Sequence, residues 1–133
     1  MLMPTITRYM TLRPVTIDRG STLASAQRLM RVHQVRHLPV LDRRRLVGLL
    51  VAHDLHMLEL IGRLDLETVL VEAVMVQDPL TVSETAAVDE VVELMAARRL
   101  DVVVVTDLVG IRGIFTAVDA CQALASVLRR AVA

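Results

Sequence analysis

The feature that most constrains this chain is a repeat. Gly48-Leu-Leu-Val-Ala-His-Asp54 returns sixty-five residues later as Gly113-Ile-Phe-Thr-Ala-Val-Asp119. The same offset relates Met10 to Met75, Pro14 to Pro79, Thr16 to Thr81, Leu29-Met30 to Leu94-Met95, Val40 to Val105 and Asp42 to Asp107. No gap is needed between Met10 and Asp54. Other pairs exchange one apolar residue for another, such as Ile17 with Val82 and Leu23 with Val88. A constant spacing of this kind marks an internal duplication, each copy being one structural unit. The chain therefore divides into residues 1–65, a first copy with its lead-in and linker, and residues 66–133, a second copy.

Each copy has the same order of local signals. Residues 1–9 are a lead-in with a short strand or turn near Thr5-Ile6. Pro14 to Ile17 is a short extended segment with Pro at its start, where a missing donor is tolerated. Ser21 or Thr22 caps a helix that runs to about His33. Its Leu23, Ala26, Leu29, Met30 and Val32 or His33 follow the spacing of one buried face. Val35 to Leu41 is a strand and Asp42 to Arg45 a polar hairpin turn. Leu46 to Val51 is an almost wholly apolar strand, as for a strand buried on both faces. A second helix starts at Asp54, carries Leu55, Leu58 and Ile61, and stops at Gly62. Residues 62–69 form a partly helical connection.

The second copy repeats this plan. Pro79 to Val82 is a strand, and Ala86 to Arg98 is a helix with Val88, Val91, Val92, Leu94 and Met95 on its buried face. Asp101 to Thr106 is a β-branched strand, residues 107–110 turn, and Ile111 to Thr116 is the last strand. A closing helix runs from Asp119 to about Ala131, with Arg129 and Arg130 where cations suit a helix C-terminus. Each copy thus reads β-α-β-β-α, an α+β fold class. Neither buries its sheet alone. The two are expected to pack sheet to sheet as an α/β sandwich with approximate two-fold pseudosymmetry, leaving a cleft of the kind ligands prefer.

Composition narrows the function. Hydrophobic residues make up 54% of the chain, yet it has one Tyr, one Phe and no Trp, so the core must be aliphatic. Fifteen basic residues balance fifteen acidic ones. Such a chain offers neither the positive field nor the stacking platforms of a nucleic-acid binder. Cys121 is the only cysteine, which excludes an internal disulfide framework and suits a reducing compartment. It is expected in the core. No apolar run is long enough to span a membrane, and the N-terminus lacks the charged start and apolar stretch of a signal peptide. These features read as a soluble, cytoplasmic protein. His33 with His37 and His53 with His56 lack a cysteine or carboxylate set at ligand spacing, so no metal site is expected. No nucleophile, base and orienting group occur together, so no enzyme and no required cofactor are expected. Arg43-Arg44-Arg45 reads as a solvated turn, or as a contact for phosphate or a partner.

The junction at Gly113 to Asp119 carries the chemistry. Thr and Asp at a strand-to-helix junction cap the helix through side-chain oxygens. The same oxygens can hold a polyol such as a ribose, since a carboxylate accepts from two vicinal hydroxyls. Both readings stand on the residues alone.

With these stretches in view, the sequence resembles a tandem pair of CBS (cystathionine-beta-synthase) domains, the Bateman module. The resemblance rests on Tyr9-Met-Thr-Leu-Arg-Pro-Val-Thr, Val35-Arg-His-Leu-Pro-Val-Leu-Asp42 and Leu46 to Asp54 in the first copy. In the second it rests on Met75-Val-Gln-Asp-Pro-Leu-Thr-Val, Val102 to Asp107 and Gly113 to Asp119. It covers about residues 9–128. It implies a regulatory module that binds AMP, ADP, ATP or S-adenosylmethionine between the copies. The family's Gly-x-x-Thr/Ser-x-x-Asp motif holds the ribose, and Gly113, Thr116 and Asp119 match it. By the family's arrangement Val15, Val35 and Ile114 form the adenine wall and Arg36 faces phosphate. The first copy keeps Gly48 and Asp54 but has Val51 in place of Thr, so a site with Leu49, Asp54 and Asp101 is expected to be weaker or empty. Asp101, the counterpart of Arg36, repels polyphosphate; if it pairs with Arg36 instead, the module is closed. The resemblance also implies a homodimer formed through the helices, and a separate effector protein as a further partner. A ligand-free dimerisation or protein-docking module remains the alternative.

Overall fold

The computed structural model describes residues 3–132, so Met1, Leu2 and Ala133 of the expected copies lie outside the described residues. The chain forms two compact units. One is Pro14–Pro79; the other combines the described part of Met1–Arg13 with Leu80–Ala133. The sequence division at residue 65 follows the repeat, whereas the units exchange lead-ins. The residues before the first copy complete the second copy's sheet, and those before the second copy complete the first copy's sheet.

In the unit Pro14–Pro79, strand β2 (Ile17–Asp18) leads to helix α1 (Leu23–His33), hairpin β3 (His37–Asp42) and β4 (Arg45–Val51), and helix α2 (Ala52–Ile61). The chain then returns as strand β5 (Val76–Gln77). The sheet order is β2-β3-β4-β5, with β2 parallel to β3 and the other pairs antiparallel. Thr22 caps α1 by accepting from the Ser25 N–H at 3.1 Å, and Gln34 ends it in the left-handed region. The connection after Gly62 forms no α-helix; a 3-10 turn follows at Val71–Ala73. Leu23, Leu38, Val40, Leu50 and Val71 are fully buried at the centre of this unit.

In the other unit, a 3-10 turn (Ile6–Arg8) and strand β1 (Thr11–Leu12) precede the second copy. That copy supplies β6 (Thr81–Ser83), α3 (Val88–Arg98), β7 (Val102–Thr106), β8 (Ile111–Thr116) and α4 (Ala117–Val132). The order is β1-β8-β7-β6, which read from β6 is the same arrangement as β2-β3-β4-β5, with β1 in the place of β5. Ile6, Val103, Val105 and Phe115 lie at its centre. Both hairpins shift register at the same place, Val40/Leu41 and Val105/Thr106. Left-handed residues also recur at the repeat offset: Arg13 with Asp78, and Gln34 with Arg99.

The sheets required their repeated glycines. Strand β1 crosses so close to β8 that a Cβ on Gly113 would stand 2.5 Å from the Thr11 carbonyl oxygen and 3.0 Å from the Met10 sulfur. A Cβ on Gly48 would overlap the Met75 thioether and approach the Val76 carbonyl. Met10 and Met75 are themselves repeat partners, so each methionine fills the space left by the glycine it meets.

Several side chains expected in the core are outside it. Cys121 is exposed. Ala120 faces the core in the first turn of α4, and a residue one position on is rotated about 100° away. Val32, His33, Ile61 and Val92 are also exposed. Each lies on the outer edge of its helix, while Met30, Leu55, Val91 and Met95 make the buried contacts. Among the described residues, no helix is long and apolar enough to cross a membrane.

Candidate functional site

Strand β8 runs into α4 at Thr116. The helix begins at Ala117, two residues before the expected start, so Thr116 is the cap and Asp119 the third helical residue. The Thr116 hydroxyl accepts from the Asp119 N–H at 3.2 Å, and Asp119 Oδ2 accepts from the Thr116 N–H at 2.9 Å. This is a reciprocal capping box, with Asp in the place more often taken by Glu. A third group joins them from the other end of the chain. The Thr11 hydroxyl of β1 lies 3.4 Å from both Asp119 carboxylate oxygens.

Two hydroxyls and a carboxylate thus converge, and Thr116 and Asp119 are half-buried. A carboxylate has about four acceptor positions. One short bond and two long ones leave Asp119 able to accept from vicinal hydroxyls, while the Thr116 hydroxyl proton remains available to donate. Ile114 lies buried on the same strand, opposite Thr11 and Val104. Gly113 has a different role from the one its motif position suggests: the close approach of β1 requires it.

The equivalent junction in the first copy is poorer. Val51 precedes α2 without a side-chain cap. The Asp54 carboxylate, half-buried, makes no hydrogen bond or ion pair among the described residues. Val76 stands opposite the buried Leu49, where the second copy has Thr11 opposite Ile114. Both hydroxyls of the second copy are therefore replaced by valine. Arg36 and Asp101 brace the two helix starts through their carbonyls, which accept from the Ala52 and Ala117 N–H groups, both at 2.8 Å.

The expected residues divide between the units. Ile114, Thr116, Asp119 and Asp101 belong to one; Val15, Val35, Arg36, Leu49 and Asp54 belong to the other. The structure gathers Thr116, Asp119 and the unexpected Thr11, and it sets Val35 and Arg36 together. Val35 and Arg36 line an open groove of about 290 Å³ between α1 and α2, floored by Met30, Ala52 and Leu55. At its rim Gln27 donates to Glu59 at 2.5 Å, and His56 Nδ1 lies 4.0 Å from the same carboxylate. The groove was missed because Gln27 and Glu59 carry no pattern beyond a polar helix face. Thr11 was missed because it lies 108 residues from its partner. Its signal was present: at the one repeat offset Thr11 corresponds to Val76, and Thr116 to Val51. Among the described residues no group of three or more His, Cys, Asp or Glu could hold a metal.

The CBS domain pattern matches twice, over residues 6–58 and 71–126. The chain belongs to the CBS domain family. It is 30% identical over 106 residues to an inosine-5'-monophosphate dehydrogenase of Korarchaeum cryptofilum. That match takes in 79% of this chain but only 21% of the dehydrogenase. The fold is similar to that of the Vibrio cholerae protein called AcuB, with TM-score 0.81 and 27% identity, covering 96% of this chain and 95% of that one. It is also similar to the CBS domain pair of protein MJ0100 in complex with 5-methylthioadenosine and S-adenosyl-L-methionine. There the TM-score is 0.82 and the identity 21%, over 94% of this chain and 98% of that one. The two β-α-β-β-α copies read from the sequence are thus two CBS repeats.

Proposed function

We propose that this CBS pair is a cytoplasmic, non-catalytic regulatory module. It binds an adenosine-containing ligand such as AMP, ADP, ATP or S-adenosylmethionine and alters how a homodimer docks to an effector protein. The observation that carries the reading is the gathering at one helix start of the Asp119 carboxylate, the Thr11 hydroxyl bonded to it and the Thr116 hydroxyl that caps the Asp119 N–H. This group suits the vicinal hydroxyls of a ribose, and the bound ligands of the MJ0100 pair have that sugar in common. In this reading Ile114, Val15 and Val35 supply apolar contacts to the base and Arg36 a cation for phosphate. The first copy, with Leu49, Asp54 and Asp101, is the weaker site because valines replace its hydroxyls.

A second reading has its own support. The capping box accounts for Thr116 and Asp119 without any ligand, and α4 buries none of its residues. Its Val118, Leu124, Val127 and Leu128 are all exposed, as in a ligand-free docking module.

A thermal-melt screen with AMP, ADP, ATP and S-adenosylmethionine decides between them. A ligand at a hundred times its Kd stabilises the fold by about 2.7 kcal/mol. The parent is expected to gain several degrees, and Asp119→Ala to gain none relative to its own baseline. No gain in the parent with any compound rejects the nucleotide reading and favours the docking module.

A further inference from the structure

The first hairpin breaks a local rule. Strands β3 and β4 are joined by Arg43-Arg44 alone, with Asp42 paired to Arg45 across the turn. Both loop residues have positive φ, 49° and 71°. This is the signature of a type I′ turn, which favours Asn-Gly because a Cβ is disfavoured in the left-handed region. The other left-handed non-glycine residues recur at the repeat offset, but Arg43 and Arg44 have no such counterpart at Leu108 and Val109. The strain belongs to this hairpin and not to the repeat.

The turn presents three consecutive exposed guanidinium groups, Arg43, Arg44 and Arg45. Among the described residues, none of their side chains has an ion-pair or hydrogen-bond partner. The adjacent carboxylate, Asp42, is engaged by Arg19 at 3.4 Å, and Arg19 also reaches Glu72 at 3.3 Å. A two-residue turn fixes the backbone, so these cations are held out with little freedom except in their side chains. Local rules are broken most often where function requires it.

We propose that this turn is a docking point for an acidic segment of a partner protein, held by bidentate arginine–carboxylate pairs. Guanidinium groups match carboxylates in this geometry. Three observations favour a protein segment over other anions. Fifteen basic and fifteen acidic residues leave no net field to draw in a nucleic acid. Of the two aromatic rings, Phe115 is fully buried and Tyr9 lies beneath Arg8, 5.7 Å from its ring centroid, so no base-stacking platform is offered. Leu41 and Leu46 beside the turn are half-buried, so nothing apolar projects there to enter a bilayer. The proposal does not depend on the nucleotide reading.

The test is fluorescence anisotropy with a fluorescein-labelled peptide of consecutive glutamates, titrated with the full chain at low salt. Saturable binding that weakens as salt rises is expected. Arg43→Asn combined with Arg44→Gly should weaken it by at least about tenfold. That variant should melt no lower than the parent, since it installs the favoured turn, so lost binding is not lost folding. Arg129→Gln with Arg130→Gln removes another adjacent arginine pair and should leave affinity unchanged. Asp119→Ala should also leave it unchanged, whatever its effect on nucleotide. Absence of peptide binding, or equal loss in the Arg129/Arg130 variant, overturns the proposal. So does tighter binding of a single-stranded oligonucleotide or of phosphatidylserine vesicles than of the peptide.

Discussion

Exchanging one methyl for one hydroxyl between the two copies tests the local chemistry of both helix starts. In Thr116→Val the hydroxyl that accepts from Asp119 N–H at 3.2 Å is lost, and the 2.9 Å bond from Thr116 N–H to Asp119 Oδ2 is retained. Valine has nearly the same shape, so packing changes little. Replacing a Thr cap costs about 0.5–2 kcal/mol. The half-exposed position lets water reach the freed N–H, and the second arm of the box survives, so about 1 kcal/mol is expected. Val51→Thr is the reverse change. Val51 already occupies the cap of α2 with no side-chain bond, and Asp54 stands where Asp119 stands. A hydroxyl there supplies the missing acceptor for the Asp54 N–H and should stabilise by about the same amount. For a chain of this size 1 kcal/mol moves Tm by about 3–5 °C.

Thermal and urea melts of the parent, both single variants and the double variant measure these terms. The two sites belong to separate units and share no hydrogen-bond partner among the described residues, and changes without shared partners add, so the double variant should melt near the parent. The ligand response should separate the two. Thr116→Val should weaken any nucleotide-dependent shift, whereas Val51→Thr should leave it intact or extend it. If Val51→Thr fails to stabilise while Thr116→Val costs nothing, the capping account of both junctions is refuted. If Thr116→Val keeps the full nucleotide shift, its hydroxyl has no part in the ligand site.

Three further outcomes are expected. Gly113→Ala should destabilise by about 2 kcal/mol in urea denaturation, and Gly48→Ala by less, because Gly113 meets a backbone carbonyl first and Gly48 meets a flexible thioether; the opposite order would contradict the packing account. Asp107 is held below the usual aspartate value of 3.8 by N–H bonds from Gly110 and Val109, with a further contribution from the Arg112 guanidinium. Its contribution is therefore present above about pH 4 and lost as pH falls through the depressed value. The Tm difference between the parent and Asp107→Asn should close on acidification below pH 4, and a difference that persists there argues against this carboxylate. Leu124→Glu with Leu128→Glu places two charges on the exposed face of α4 and should yield a monomer by light scattering with its circular dichroism spectrum retained; an unchanged larger mass would remove α4 from the interface.

The repeat made the architecture readable. Pattern and spacing placed all four helices and the two hairpins, because α1 and α3 have apolar periodicity and β4 and β7 are long apolar runs. They did not give β1 and β5, which are two residues long and carry no alternation. Those strands decide the site. Strand β1 brings Thr11 to Asp119 and enforces Gly113, and β5 brings Val76 to the other copy. The expectation that Cys121, Val92, Ile61 and Val32 are buried failed for a different reason. Apolar periodicity marks a helix face that avoids water, but it does not say whether the same chain covers it. Helix α4 shows the limit, since its amphipathic pattern is strong and none of its residues is buried.

The two copies retain what the sheets demand and differ where side chains meet solvent. Each unit has one arginine bridging two carboxylates at the corner where hairpin, lead-in and strand meet. In one unit Arg19 reaches Asp42 and Glu72 at 3.4 and 3.3 Å. In the other Arg112 reaches Glu84 and Asp107 at 3.0 and 3.6 Å. Yet Arg19 and Glu84 are repeat partners, so the charge at that position has reversed and the cation is supplied from elsewhere. Exposed pairs of this kind contribute about 0–1 kcal/mol each, too little to fix which residue carries which sign. The glycine–methionine contacts are packed against backbone, and there the residue types did not change. The same reasoning separates the two helix starts. A cap contributes about as much as an exposed ion pair or slightly more, so the fold alone tolerates Val51. Stability therefore gives no sufficient reason for one copy to assemble Thr11, Thr116 and Asp119 while the other assembles none of their counterparts but Asp54. In the proposed nucleotide reading, a ligand that requires one polar site supplies such a reason, and the second copy is where it would bind.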